Sequence, residues 1–142
     1  INSSYHAEAP MKLESIIANT KNNEILPFHI NRNVVYFDDM IIELLRLIKN
    51  NYDVTLISRI FHNTIIRIII EQIKSISEQE KIYLVALSGG TFQNKFLLTG
   101  VFDVLKKEGF KVYLNNKVPS NDGGIALGQL YHAAFIKNFK RN

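Results

Sequence analysis

An α/β fold built around a parallel β-α-β unit is what the sequence predicts, and three consecutive segments predict it. "IYLVAL" (residues 82–87) is a continuous apolar run of the kind found in a central strand covered on both faces. "TFQNKFLLTGVFDVLKKEG" (91–109) is amphipathic at helical spacing and closes on Gly109, and "FKVYL" (110–114) reads as a second strand. Strands joined through a helix in this way lie parallel, with a right-handed crossover.

The other elements follow from local signals. In "YHAEAPMKLESIIAN" (5–19), Met11, Leu13, Ile16 and Ile17 stand near a helical period, so a helix is expected from about Ala7, with Pro10 in its first turn. "NTKNNE" is a polar loop. "ILPFHINRNVVYF" (25–37) holds two β-favouring runs around Asn-Arg-Asn and reads as a hairpin, with Pro27 at an edge. Asp38 or Asp39 is the expected N-cap of "MIIELLRLIKNN", a helix ending at paired asparagines. A long helix then runs from a cap at Asp53 to "SEQE", with Leu56, Ile60, Ile65, Ile68, Ile69 and Ile73 on a broad apolar face. After the loop "NNKVPSNDGG", "IALGQLYHAAFIKNF" is a last helix.

Composition narrows the class. The chain has 142 residues, 46% hydrophobic and 21% charged, enough for one globular domain over 1–142 with a core of its own. The opening "INSSYHAEAP" is neither a signal nor a transit peptide, and it reads as a cut into a longer chain. The most apolar stretch, "IIRIIIEQI" (65–73), contains Arg67 and Glu71 and is far shorter than a membrane span, so a soluble, cytoplasmic protein is expected. With no cysteine, disulfides and thiolate zinc sites are excluded. The net charge of +4 is scattered except in the tail "KNFKRN", and no RNA-type aromatic motif accompanies it, so nucleic acid is not an expected partner.

Two glycine-bearing turns carry the chemistry. In "LVALSGGTFQN" a strand passes into a helix through Ser88, Gly89 and Gly90. Such a turn bares the first N–H groups of the helix, and glycines let a phosphate or a flat base approach the backbone. A tight strand-to-helix connection explains the same residues equally well. No Gly-Lys-Ser/Thr follows, and the dinucleotide G-x-G-x-x-G pattern is absent. In "VPSNDGGIALGQ" (118–129) a second such turn opens the last helix on the same sheet edge, where open α/β sheets place ligands. Asp122 either caps that helix or supplies an oxygen to a metal at phosphate. His6, His29, His62 and His132 form no metal-binding pair, and His62 reads as a half-buried histidine with one hydrogen bond.

Taken together, "VALSGGTFQNKFLL", "GFKVYLNNKVPSNDGGIALGQLYHAA", "ISRIFHNTI" and "SYHAEAPMKLE" resemble the C-terminal part of the HypF carbamoyltransferases of NiFe-hydrogenase maturation, in family order and over nearly the whole chain. The resemblance implies an actin-like, sugar-kinase-like ATPase (ASKHA) fold, the second lobe of a domain shared with tRNA threonylcarbamoyl-transfer enzymes and O-carbamoyltransferases such as TobZ. It implies that carbamoyl phosphate and ATP are converted to carbamoyl-adenylate and that the carbamoyl group passes to the C-terminal cysteine of the partner HypE. It further implies that Ser88, Gly89, Gly90 and Asn94 lie against the adenosine of ATP or carbamoyl-adenylate, and that Asp122 joins a histidine pair on a divalent metal, magnesium or iron.

That histidine pair belongs to an H-x-x-x-H motif of the preceding lobe and is not in this chain, so the isolated chain is expected to fold without turning over. The family's Tyr-Glu-Gly is Tyr5-His6-Ala7 here, and Glu8 keeps an acidic group that approaches the ribose in this reading. The alternatives are an O-carbamoyltransferase or tRNA-modifying relative, and a non-enzymatic nucleotide-binding module.

Overall fold

The computed structural model describes residues 4–5, 7–17, 19 and 21–139, so His6 and the last three residues of the basic tail lie outside it. Helix α1 (Glu8–Ser15) begins after Ala7, whose φ of 63° turns the chain into it, and Pro10 sits in its first turn, where no intrahelical N–H partner is lost. Ile16 and Ile17, expected on this helix, lie beyond its end. Strands β1 (His29–Asn31) and β2 (Val34–Tyr36) form the expected antiparallel hairpin. Arg32 and Asn33 make its turn with positive φ at both positions, as a two-residue I′ turn requires.

Helix α2 (Asp38–Lys49) departs from expectation at its start. Phe37 is the capping position and makes no side-chain cap bond, while Asp38 and Asp39 fall inside the first turn. There they still favour the helix, because negative charge complements the positive end of its dipole. Helix α3 (Val54–Glu80) begins where expected, with the Asp53 carboxylate accepting the Thr55 N–H.

At 27 residues α3 is about 40 Å long and serves as the spine. Its first half packs Ile57 and Ile60 with Leu26, Met40 and Leu47, whereas further along Ile70 joins Leu87, Val101, Leu105 and Phe110. Polar side chains of α3 pin the irregular segment before the hairpin. The Thr64 hydroxyl accepts from the Leu26 N–H at 2.8 Å and donates to the Ile60 carbonyl at 2.7 Å. Arg59 Nε and Asn63 Nδ2 both donate to the Asn22 carbonyl, while Ser58 Oγ ties α3 to the last turn of α1 by donating to the Leu13 carbonyl at 2.6 Å. A segment without ladder partners thus has its backbone satisfied by a helix.

Strand β3 (Leu84–Leu87), helix α4 (Lys95–Lys107) and strand β4 (Lys111–Leu114) form the predicted unit, with Leu84 opposite Lys111 and Leu87 opposite Leu114 in parallel register. Gly100 lets α4 lie close on α3, since a Cβ there would stand 2.3 Å from Ile66 Cδ1. The prediction of a doubly covered strand fails. Leu84 is 54% exposed while Leu87 is buried, because only one face of this two-stranded sheet is covered by α3 and α4. Helix α5 (Ile125–Phe139) is the last element among the described residues, with Leu130, Tyr131 and Phe135 exposed. Among the described residues no helix is long and apolar enough to cross a membrane.

Candidate functional site

Parallel neighbours end at the same sheet edge, so the turns after β3 and β4 meet. The Gly89 N–H donates to the Ser120 carbonyl at 2.7 Å and stitches them together. Beside this stitch opens a cavity of about 730 Å³. Gly90, Thr91, Gln93, Asn94 and Leu97 form one wall, Asn121, Asp122 and Gly123 a second, and Ala7, Pro10, Met11 and Glu14 of the α1 region a third.

The two glycines of the first turn have different reasons. Gly89 adopts φ 101°, ψ 162°, a region essentially closed to side-chain-bearing residues, and begins a 3-10 turn over Gly90–Gln93. Gly90 has no positive φ, and a Cβ built on it would meet nothing within 4 Å. Nothing in the packing of the described residues demands a glycine at that position, and Gly90 is the one of the pair that lines the cavity. In the second turn Gly124 is a packing glycine, since its Cβ would lie 2.8 Å from the Pro119 carbonyl oxygen.

The helix start behind the first turn is not the open anion site that the sequence suggests. Helix α4 begins at Lys95, four residues later than Thr91, and Asn94 caps it by accepting the Leu97 N–H at 2.9 Å. The Lys95 N–H is taken by the Glu14 carboxylate at 2.7 Å. With these donors used, the dipole end is already neutralised by a side-chain anion. In the second turn it is Asn121, not Asp122, that caps, accepting the Gly123 N–H at 3.1 Å. The Asp122 carboxylate is left exposed at the cavity.

Among the described residues the lining holds two carboxylates, Glu14 and Asp122, and no lysine or arginine. A bare phosphate would be repelled here, whereas hydroxyl and amino groups find acceptors and an apolar ring finds Pro10, Met11 and Leu97. No group of three His, Cys, Asp or Glu is placed to hold a metal among the described residues.

Of the residues expected from sequence, Gly90, Asn94 and Asp122 line the cavity, and Ser88, Gly89 and Glu8 do not. Glu8 is 6% exposed and spent locally, paired with Lys12 at 2.5 Å and accepting from the Ser4 backbone N–H and hydroxyl. Lys12 foremost, then Ser4, hold its carboxyl down to about 2 from an ordinary 4.5. His62 is buried rather than half-buried and is bonded at both ring nitrogens rather than one, Nδ1 to the Ser58 carbonyl with the Ser58 hydroxyl 3.5 Å away, and Nε2 to Asn94. Glu14, Gln93 and Asn121 also line the cavity; each lies within a segment that carries the resemblance, but no local pattern gives any of them a role of its own.

Residues 1–129 match the family described as carbamoyltransferase, Kae1-like domain, second subdomain. The chain is 33% identical over 131 residues to the carbamoyltransferase HypF of Synechocystis, covering 89% of this chain and 16% of that protein. It is 27% identical over 125 residues to a probable carbamoyltransferase HypF of Methanocaldococcus jannaschii, covering 88% and 16%. The chain therefore spans about a sixth of the length of these curated relatives. Among solved structures, full-length HypF in a phosphate- and nucleotide-bound form superposes with a TM-score of 0.85 at 34% identity, over 90% of this chain and 20% of that one. HypF of T. kodakarensis shares the fold, with a TM-score of 0.75 at 21% identity over 94% of this chain and 18% of that one. The α/β lobe with a parallel β-α-β core expected from sequence is thus the fold of HypF Kae1-like domains. With a family match over most of its length and relatives at about one-third identity, the chain belongs to the HypF carbamoyltransferase family, as a second subdomain of the Kae1-like domain.

Proposed function

We propose that this chain is the nucleotide-side lobe of a HypF-type carbamoyltransferase, cytoplasmic, acting with ATP and carbamoyl phosphate. In this reading the whole protein makes carbamoyl-adenylate and transfers the carbamoyl group to the C-terminal cysteine of HypE, for cyanide ligand synthesis in NiFe-hydrogenase maturation. The observation that carries the reading is the shared cavity at the stitched glycine turns, with Gly90 bare on its wall. The solved full-length HypF that holds phosphate and nucleotide lends support through its fold and its 34% identity.

The lining favours the adenosine end of the nucleotide. Gly90 offers backbone to a flat base, Pro10, Met11 and Leu97 offer apolar contact, and Glu14, Gln93 and Asn94 offer acceptors and donors to base and ribose. Glu14, placed in the cavity by its bond to Lys95, takes over the ribose role that the sequence reading gave to Glu8. Adenylate formation at phosphorus is positioning and charge stabilisation, so this lobe binds and orients while the nucleophilic thiol comes from HypE. The absence of cysteine in this chain is consistent with that division. Asp122 is assigned one position on a divalent metal, magnesium or iron, whose histidine ligands lie outside this chain, and the metal would offset phosphate charge.

Calorimetry with an ATP analogue and magnesium on the full-length protein tests the site. Gly90→Val and Asp122→Ala are each expected to weaken binding at least about tenfold, roughly 1.4 kcal/mol. Unchanged affinity in both variants overturns the assignment. The chain alone is expected to give no carbamoyl phosphate-dependent ATP turnover, and robust turnover by it would refute the split site.

A further inference from the structure

His62 lies beneath the cavity, 2% exposed, with both ring nitrogens committed. Nδ1 is 2.7 Å from the Ser58 carbonyl oxygen, which can only accept, so Nδ1 carries the proton. Nε2 is 3.0 Å from Asn94 Nδ2. The Asn94 amide is not free to turn over, because its Oδ1 accepts the Leu97 N–H at 2.9 Å and reversal would set an NH2 group against that N–H. Two backbone groups therefore fix both ends of the pair. Asn94 donates, Nε2 accepts, and a single neutral tautomer satisfies every partner.

Packing holds the arrangement in place. Phe61 and Phe96 each meet the imidazole edge-on with centroids 5.7 Å away, which fixes the ring plane. Ser58 binds the Leu13 carbonyl through its hydroxyl, and Glu14, the next residue, binds the Lys95 N–H beside Asn94. The bonds thus close a ring from α1 through α3 to the start of α4, and both Glu14 and Asn94 stand on the cavity wall.

We infer that His62 is a positioning residue: as the Nδ1–H tautomer it locks the Asn94 amide, leaving one amide N–H unspent as a defined donor for the cavity's ligand. The ligand side of this inference rests on the nucleotide reading, in which a bound purine nucleoside meets an amide that cannot flip.

Two measurements on the full chain test it. Nitrogen-detected NMR of the histidine rings is expected to show His62 protonated on Nδ1 alone, and an Nε2–H tautomer overturns the inference. In calorimetry with β,γ-imido-ATP and magnesium, His62→Phe, which keeps a ring but removes the acceptor, is expected to lose roughly five- to tenfold in affinity. His62→Gln, whose Oε1 can accept from Asn94, is expected to stay within about twofold, a rescue that loss of packing would not give. A folded His62→Phe protein with wild-type affinity overturns the inference. If His62→Phe fails to fold, the tautomer and the Gln variant decide. If the wild-type protein binds no analogue at all, the nucleotide reading falls, and the ring NMR still decides the relay.

Discussion

The paired glycines Gly89 and Gly90 should fail in opposite ways when substituted. Gly89 holds φ 101°, ψ 162°, so Gly89→Ala forces a side chain into a region that costs about 1–3 kcal/mol, although nothing lies within 4 Å of its Cβ. At roughly 2–4 °C per kcal/mol for a domain of this size, a fall of several degrees in Tm is expected. At Gly90 φ is not positive and a Cβ meets nothing within 4 Å, so the stability change of Gly90→Val should stay within about 0.5 kcal/mol, the range of an uneventful surface substitution. Its isopropyl group enters the cavity instead, and nucleotide affinity should fall at least about tenfold. Thermal unfolding and calorimetry on the same full-length variants separate the two effects. A Gly90→Val protein destabilised as much as Gly89→Ala, or one that binds normally, would refute the division of labour between turn-former and ligand wall.

Other outcomes follow from buried polar groups. Thr64→Val removes the acceptor of the Leu26 N–H in a fully enclosed position and should cost about 1–3 kcal/mol in urea unfolding, and an unchanged midpoint would contradict the pinning role given to α3. Glu8 has a carboxyl held down to about 2 by Lys12 and Ser4, so between its ordinary 4.5 and about 2 the unfolded chain binds a proton that the folded chain refuses. Stability then rises with pH across that window: the Glu8 contribution is complete above the ordinary value and is lost as pH falls through about 2. Glu8→Gln should flatten acid unfolding in this range, and a carboxyl titration midpoint at the ordinary value would contradict the pairing.

Much of the fold could be read along the chain because its signals are local. The cap at Asp53, the turn residues between β1 and β2 and the closing Gly109 each act within a few residues, and each stands where expected. Expectation and structure part where one residue type supports two outcomes. Asp38 and Asp39 suit a cap or a first turn equally, and the apolar run "IYLVAL" suits a covered strand or one whose outer face awaits cover. In the second turn Asn121 and Asp122 are both residues that suit a cap, and it is Asn121 whose side chain accepts, from the Gly123 N–H.

The β-α-β order, the two glycine turns and their common sheet edge are legible along the chain, since parallel connection through a helix leaves no other arrangement. What those turns face is set by contacts between distant segments. Glu14 reaches the Lys95 N–H across 81 residues and His62 reaches Asn94 across 32, and no periodicity along a chain encodes such distances. Long-range packing brings α1 and α3 to the start of α4, closes the helix terminus that sequence alone would leave open, and turns a generic anion-type turn into a wall of carboxylate, amide and bare backbone.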